Sequence, residues 1–300
     1  MGHIITDLKE AFRRGNIFIR LIYINVAVFV AVMLINVFLQ LFNVQIIGML
    51  DSFALPASFG RFIVQPWSLI TYMFIHADFL HILFNMLWLY WFGNLFLCFF
   101  SSKHLRGLYL LGGICGGLLY MVAYNVFPYF ALSVPVSTLV GASASILAIV
   151  AATAYREPNY PIQLFLFGTI RLKYLALIVI GSDLLFITSS NAGGHIAHLG
   201  GALAGLWFAS SLSKGRDLTA WINRLTDAIF SLFQKKTWQR KPKMKIHYGA
   251  QSVREKDYDY NARRKAQSDE VDRILEKLKK SGYESLTTEE KKKLFEASKR

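Results

Sequence analysis

Charge is what most of this chain has least of. Residues 1–212 hold only 10 of the 33 Lys and Arg and 6 of the 19 Asp and Glu. A soluble domain carries about 25% charged residues, whereas this chain has 17%, against 54% hydrophobic. That balance excludes an ordinary soluble globule. Cysteine is nearly absent: Cys98 and Cys115, both in apolar runs, exclude a disulfide scaffold and are expected to pack. No H-E-x-x-H occurs, carboxylates near the histidines are few, and no cysteine accompanies them. Neither a metal site nor a cofactor is therefore expected. The net charge of +14 might suggest nucleic acid, but the basic residues are dispersed and no reader motif accompanies them, so none is expected as a partner. A cleavable signal peptide is not expected either, because the first apolar run is too long for its core. The opening Met-Gly resembles a myristoylation start, but Asp7 stands where Ser or Thr would help.

What the chain has is long apolar runs. Six segments, at roughly 18–42, 79–100, 107–128, 141–155, 172–189 and 197–212, predict helices that cross a bilayer core of about 30 Å. The fourth and sixth are short and rich in Gly, Ala and Ser, which places them in the bundle interior. Lys9, Arg13, Arg14, Arg20, Lys103, Arg106, Arg156, Arg171, Lys173, Lys214 and Arg216 all fall on one side, and Arg61 alone on the other. By the positive-inside rule both termini are cytoplasmic, in a multi-pass protein of the cell (inner) membrane. Spans two, four and six then begin at the outer face. His81, Ser143 and His198 lie at a similar depth below it, and intramembrane polar groups usually face a cavity or one another.

Helical spacing sharpens this convergence. His81, Asn85 and Trp88 stand at i, i+4, i+7, with Asp78 placed as the N-cap and His76 in the loop before, expected to make a loop hydrogen bond. His198, Gly201 and Gly205 share another face, a small-residue ridge matched by Ala144, Ala148 and Ala152. If the ridges pack, the His198 imidazole comes within reach of a serine at the start of span four. Ser143 and Ser145 point about 200° apart on a helix, so only one of them can face it. A serine with a base is the minimum for nucleophilic acyl transfer, and Asn85, His81 and a backbone N–H can supply oxyanion donors.

These stretches, "HADFLHILFNMLW", the G-x-S of "GASAS" and "AHLGGALAG", resemble the rhomboid intramembrane serine proteases across most of residues 15–212. The resemblance implies a six-transmembrane-helix, all-α rhomboid bundle. It implies Ser143 as nucleophile, His198 as general base, and His81 with Asn85 in the oxyanion hole. Ser145 becomes a packing serine. A dyad with no buried Asp is implied; Asp183 in span five is a possible substitute, to which the family gives no such role. The implied reaction is hydrolysis of peptide bonds in or near transmembrane helices of membrane-protein substrates. A non-catalytic rhomboid-like client-binding protein is the alternative. Ala144 after the serine, Leu147 where an aromatic often stacks on the histidine, and Ser68 after Trp67 depart from the family pattern.

The remaining chain reads as a cytoplasmic lead (1–16), the bundle (17–212), a basic amphipathic juxtamembrane segment (213–245), a linker (246–267) and a helical hairpin (268–300). Trp221, Ile222, Leu225, Ile229, Leu232 and Phe233 share one helical side, for an anionic lipid surface or for packing under the bundle. In the hairpin, Val271, Ile274, Leu275 and Leu278 form the apolar stripe. Gly282 suits a C-cap, and Thr287 with Glu290 suits a capping box. A cytoplasmic partner is the other contact expected of the tail.

Overall fold

The computed structural model describes residues 12, 15–43, 51–164, 168–233 and 252–297. Most of the expected N-terminal lead, the basic strip at 234–245 and the first residues of the expected linker lie outside the described residues. The chain divides into two compact units, Met1–Gln234 and Lys235–Arg300.

In the first unit, α1 spans Ile17–Leu41, α2 Phe59–Val64, α3 Ser68–Thr71 and α4 Phe79–Leu97. They are followed by α5 (Ser102–Val126), α6 (Ser143–Arg156), α7 (Leu172–Leu185), α8 (Ala192–Ser213) and α9 (Ala220–Phe233). Four of these, α1, α4, α5 and α8, are long and apolar enough to cross a membrane. All six expected spans are helical, but α6 and α7 are only 14 residues each. At α6 the helix, Ser143–Arg156, lies close to the expected 141–155. The chain before it is extended, and strand β2 (Thr138–Leu139) pairs antiparallel with β1 (Leu55–Pro56), in register Leu55↔Leu139. The sixth helix starts at Ala192 rather than near 197, so His198 falls in its second turn.

The helix starts are set by side-chain caps that satisfy otherwise free backbone N–H groups. Asp78 accepts from the His81 N–H (2.8 Å) at α4, as expected, and Ser101 accepts from the His104 N–H (3.2 Å) at α5. Helix α6 forms the middle of the bundle, with every residue from Ala144 to Ala154 buried. It pairs most extensively with α8. A methyl group on Gly201 would run into the Ala144 carbonyl, and one on Gly205 into the Ala148 carbonyl. The two helices are therefore in near backbone contact, as the small-residue ridges predict. Helix α5 closes against the same pair: a methyl on Gly116 would lie 2.7 Å from the Ala144 Cβ and 2.6 Å from the Ala197 carbonyl. Gly116 thus makes the room that the Ala144 methyl occupies.

Polar side chains pin the segment between α1 and α4. The Tyr72 hydroxyl donates to the Gly113 carbonyl (2.6 Å), the Tyr109 hydroxyl to the Met73 carbonyl (3.2 Å) and the Trp67 indole N–H to the Ser52 carbonyl (2.9 Å). Asn125 donates to the Ala57 carbonyl (2.8 Å). The segment is held this way although Ser68 follows Trp67; Ser68 is itself buried. Of the cysteines, Cys115 is half-buried but Cys98 is exposed, so Cys98 does not pack as expected.

Helix α9 is fixed at one end. Arg106 donates through Nε and Nη2 to Asn223 Oδ1 (3.0 and 2.9 Å) and pairs with Asp227 (2.7 Å), and Ile222 is buried. Trp221, Leu225, Ile229 and Leu232 stay exposed, so only part of the apolar stripe packs.

The second unit is a helical hairpin of α10 (Ser252–Ser281) and α11 (Thr288–Ala297). The expected linker is therefore helical from Ser252 onward. Gly282 adopts φ +74°, a left-handed cap that glycine enters without a Cβ clash, and its N–H donates to the Leu278 carbonyl (3.0 Å). The capping box forms in both directions, with Thr287 N–H to Glu290 Oε2 (2.8 Å) and Glu290 N–H to Thr287 Oγ1 (3.3 Å). Those bonds, with Lys277 beside it, hold the Glu290 carboxyl below its ordinary range. Ile274 and Leu286 are buried between the helices, whereas Leu275 is exposed.

The α6–α8 approach gives a paired test. Gly201→Ala should destabilise the protein by about 1–3 kcal/mol through overpacking. Gly181→Ala on α7, where nothing lies within 4 Å of an added methyl, should be neutral or stabilise by up to about 1 kcal/mol. Thermal unfolding of the two variants in the same detergent compares them directly.

Candidate active site

Ser143 is the first residue of α6, so its N–H is one of the helix's orphan donors and sits at the positive end of the helix dipole. The turn that delivers it needs glycine. Gly141 has φ +119°, and a methyl there would lie 2.7 Å from His81 Nε2. This explains the first residue of G-x-S: a side chain would strain the backbone and displace the His81 ring. The Gly141 N–H donates to the Tyr72 carbonyl (2.9 Å), tying the turn to the segment before α4.

Ser143, His198, His81 and Asn85 line a single cavity of about 560 Å³, with Trp88, Leu147, Val179 and Gly194 among its other walls. The helix-face prediction for α4 holds, since His81, Asn85 and Trp88 all open on this space. His81 Nδ1 accepts from the Ala77 N–H (3.5 Å), which leaves the proton on Nε2, the nitrogen nearest Gly141. Asn85 commits one amide hydrogen to the His81 carbonyl (2.8 Å) and keeps the other. Ser143 Oγ makes no hydrogen bond among the described residues, so the serine and His198 share the cavity without being bonded. Ser145 is fully buried on another face, and a methyl on Gly113 of α5 would lie 2.7 Å from its Oγ. Of the two serines only Ser143 reaches the cavity.

One contact corrects the expected dyad without a buried carboxylate. Asp183, in the last turn of α7 and 4% exposed, accepts on Oδ1 from Nδ1 of both His198 (2.8 Å) and His195 (2.7 Å). The sequence signal was present, an ionisable residue inside an apolar span and an i, i+3 histidine pair. The three side chains could also hold a metal ion by composition. Nitrogens bound with oxygen around one zinc at about 2.0–2.2 Å stand more than 3 Å from that oxygen. The separations here are those of direct hydrogen bonds. The His195 ring lies edge-on to His198 at 6.1 Å.

His76 behaves differently from its prediction. It is buried, packs edge-on against His81 (5.1 Å), and neither ring nitrogen finds a hydrogen bond among the described residues. Burial, with His81 beside it, pushes its pKa down to about 4.

Residues 64–215 match the Rhomboid domain. The chain belongs to the rhomboid family. Residues 254–300 of this rhomboid match a second family, one of unknown function (DUF6576). The protein is also similar to the RHOMBOID-like protein 12, mitochondrial, of Arabidopsis thaliana. They are 31% identical over 161 residues, covering 50% of this chain and 47% of that protein. The chain thus matches about half the length of this curated relative. Family and apolar helices together give the rhomboid its membrane character.

His76 yields a pH test with a fixed sign. Its folded value of about 4 lies below the ordinary 6.5, so the unfolded chain takes up the proton first. The stability given by neutral His76 is complete above about pH 6.5, declines as pH falls, and levels off near pH 4. Unfolding of the wild type and His76→Leu should run parallel above pH 7, with the wild type losing relative stability only within that window.

Proposed function

We propose that this rhomboid is an intramembrane serine endopeptidase. The observation that carries the reading is the opening of Ser143, His198, His81 and Asn85 on one cavity. His198 takes the Ser143 Oγ proton as Oγ attacks the carbonyl carbon of the scissile bond. The oxyanion receives hydrogen bonds from the Ser143 N–H at the α6 N-terminus, the His81 Nε2–H and the free Asn85 amide hydrogen. Collapse expels the amine, protonated by His198, and a water activated by the same histidine then hydrolyses the acyl ester. At roughly 30 Å³ per water the cavity has room for on the order of ten, ample for that second step.

The reading carries its topology with it. It takes six spans in the cell membrane, with both termini cytoplasmic by the placement of the basic loops. A 14-residue α6 rises about 21 Å, less than a hydrocarbon core of about 30 Å. If its Arg156 end reaches the cytoplasmic face, Ser143 lies below the outer surface, where a substrate's transmembrane helix meets water. The substrates are thus membrane proteins. The exposed apolar stripe of α9 suits the cytoplasmic lipid interface, with the basic residues 235–245 beside anionic headgroups or a cytoplasmic partner.

Reconstitution with a single-span reporter tests the assignment. Wild type and Ser145→Ala should cleave it, and Ser143→Ala and His198→Ala should lose cleavage by at least 10³-fold. Full activity in Ser143→Ala would overturn the proposal.

A further inference from the structure

We infer that Asp183 is a positioning residue that fixes the tautomer of His198, so that the site works as a Ser143–His198–Asp183 arrangement; this rests on the protease reading above. A neutral imidazole carries one ring proton, and whichever nitrogen keeps it cannot serve as the base. Asp183 Oδ1 lies 2.8 Å from His198 Nδ1, and a carboxylate only accepts, so the proton belongs on Nδ1. The lone pair is then on Nε2, the nitrogen available to the cavity that Ser143 lines. The same bond opposes rotation of the ring about its χ angles. It also places a negative charge beside the imidazolium that forms when the Ser143 proton is taken up.

The carboxylate is built in, not incidental. Helix α7 buries only Leu172, Ala176 and Asp183, while Leu177, Ile178, Leu184 and Leu185 are exposed. Asp183 is thus the one polar side chain this helix buries, and it goes to His198. An ionisable group inside an apolar helix is costly unless it is paired. His195 donates a second hydrogen bond to the same Oδ1 (2.7 Å) and steadies the acceptor from one turn earlier on α8. Oδ2 has no partner among the described residues, so every bond this carboxylate makes runs to the two histidines.

Two measurements on the full chain test this. With the single-span reporter, Asp183→Leu should lower kcat by about 10²–10⁴-fold and leave KM unchanged, because the residue does not touch substrate. Ring-nitrogen NMR of histidine-labelled protein, with His198 assigned by His198→Ala, should find the proton on Nδ1 in the wild type. In Asp183→Leu that preference should be lost. Wild-type kcat in a folded Asp183→Leu, or an Nε2-protonated His198 in the wild type, overturns the inference. The tautomer of the wild type is readable whether or not the variant folds and whether or not a reporter is cleaved. If the wild type cleaves nothing yet keeps His198 protonated on Nδ1, the protease reading fails and the positioning contact stands.

Discussion

The separation between α6 and α8 governs the rest of the bundle, because at Gly201 and Gly205 it is set by backbone atoms instead of side chains. Bilayer helices gain little from burying apolar surface against one another, since lipid is as apolar as leucine; what holds them is close packing. Small residues on both faces let dispersion contacts form between main chains. The consequence is positional: with no long side chain between the helices, the backbone positions of Ser143 and His198 are set by two rigid rods.

The polar groups around the cavity follow from that frame. Each one is placed by something already fixed. Ser143 is held by the helix it begins, and His81 by the Ala77 N–H and the Gly141 turn. Asn85 is held by the His81 carbonyl one turn back. The segment before α4 is bound in turn to α5 through Tyr72 and Tyr109. The hydrogen bonds that orient the site therefore run to backbone groups at Ala77 and His81 and to the buried carboxylate of Asp183.

Much of this was legible in the sequence, for reasons that differ by feature. The glycine and alanine ridges, the Asp78 cap and the Thr287–Glu290 capping box are governed by spacings of three or four residues, and local geometry delivers them. The cavity residues could be read because three short motifs lie on three helices whose starts could be located. Asp183 could not be placed, because whether it meets His198 depends on how α7 leans against α8, and no spacing within either segment encodes that. His76 escaped for a different reason: it stands in the loop before α4, where a hydrogen bond was the expectation, yet the fold closed over it. The β1–β2 pair was hidden too, since it joins residues more than 80 positions apart in register.

Helix α6 also has an unusual surroundings problem, solved by its neighbours. Buried from Ala144 to Ala154 and in contact with α4, α5, α7 and α8, it is ringed by protein along nearly its whole length. Its solvent is other helices. A change in acyl-chain length or headgroup acts first on the exposed apolar side chains of the surrounding helices, such as Leu34, Phe84, Leu177 and Leu203. Only at its first residue does that ring open: Ser143 is half-buried and meets the cavity, so the serine is approached from the cavity mouth while the rest of its helix is reached only through protein.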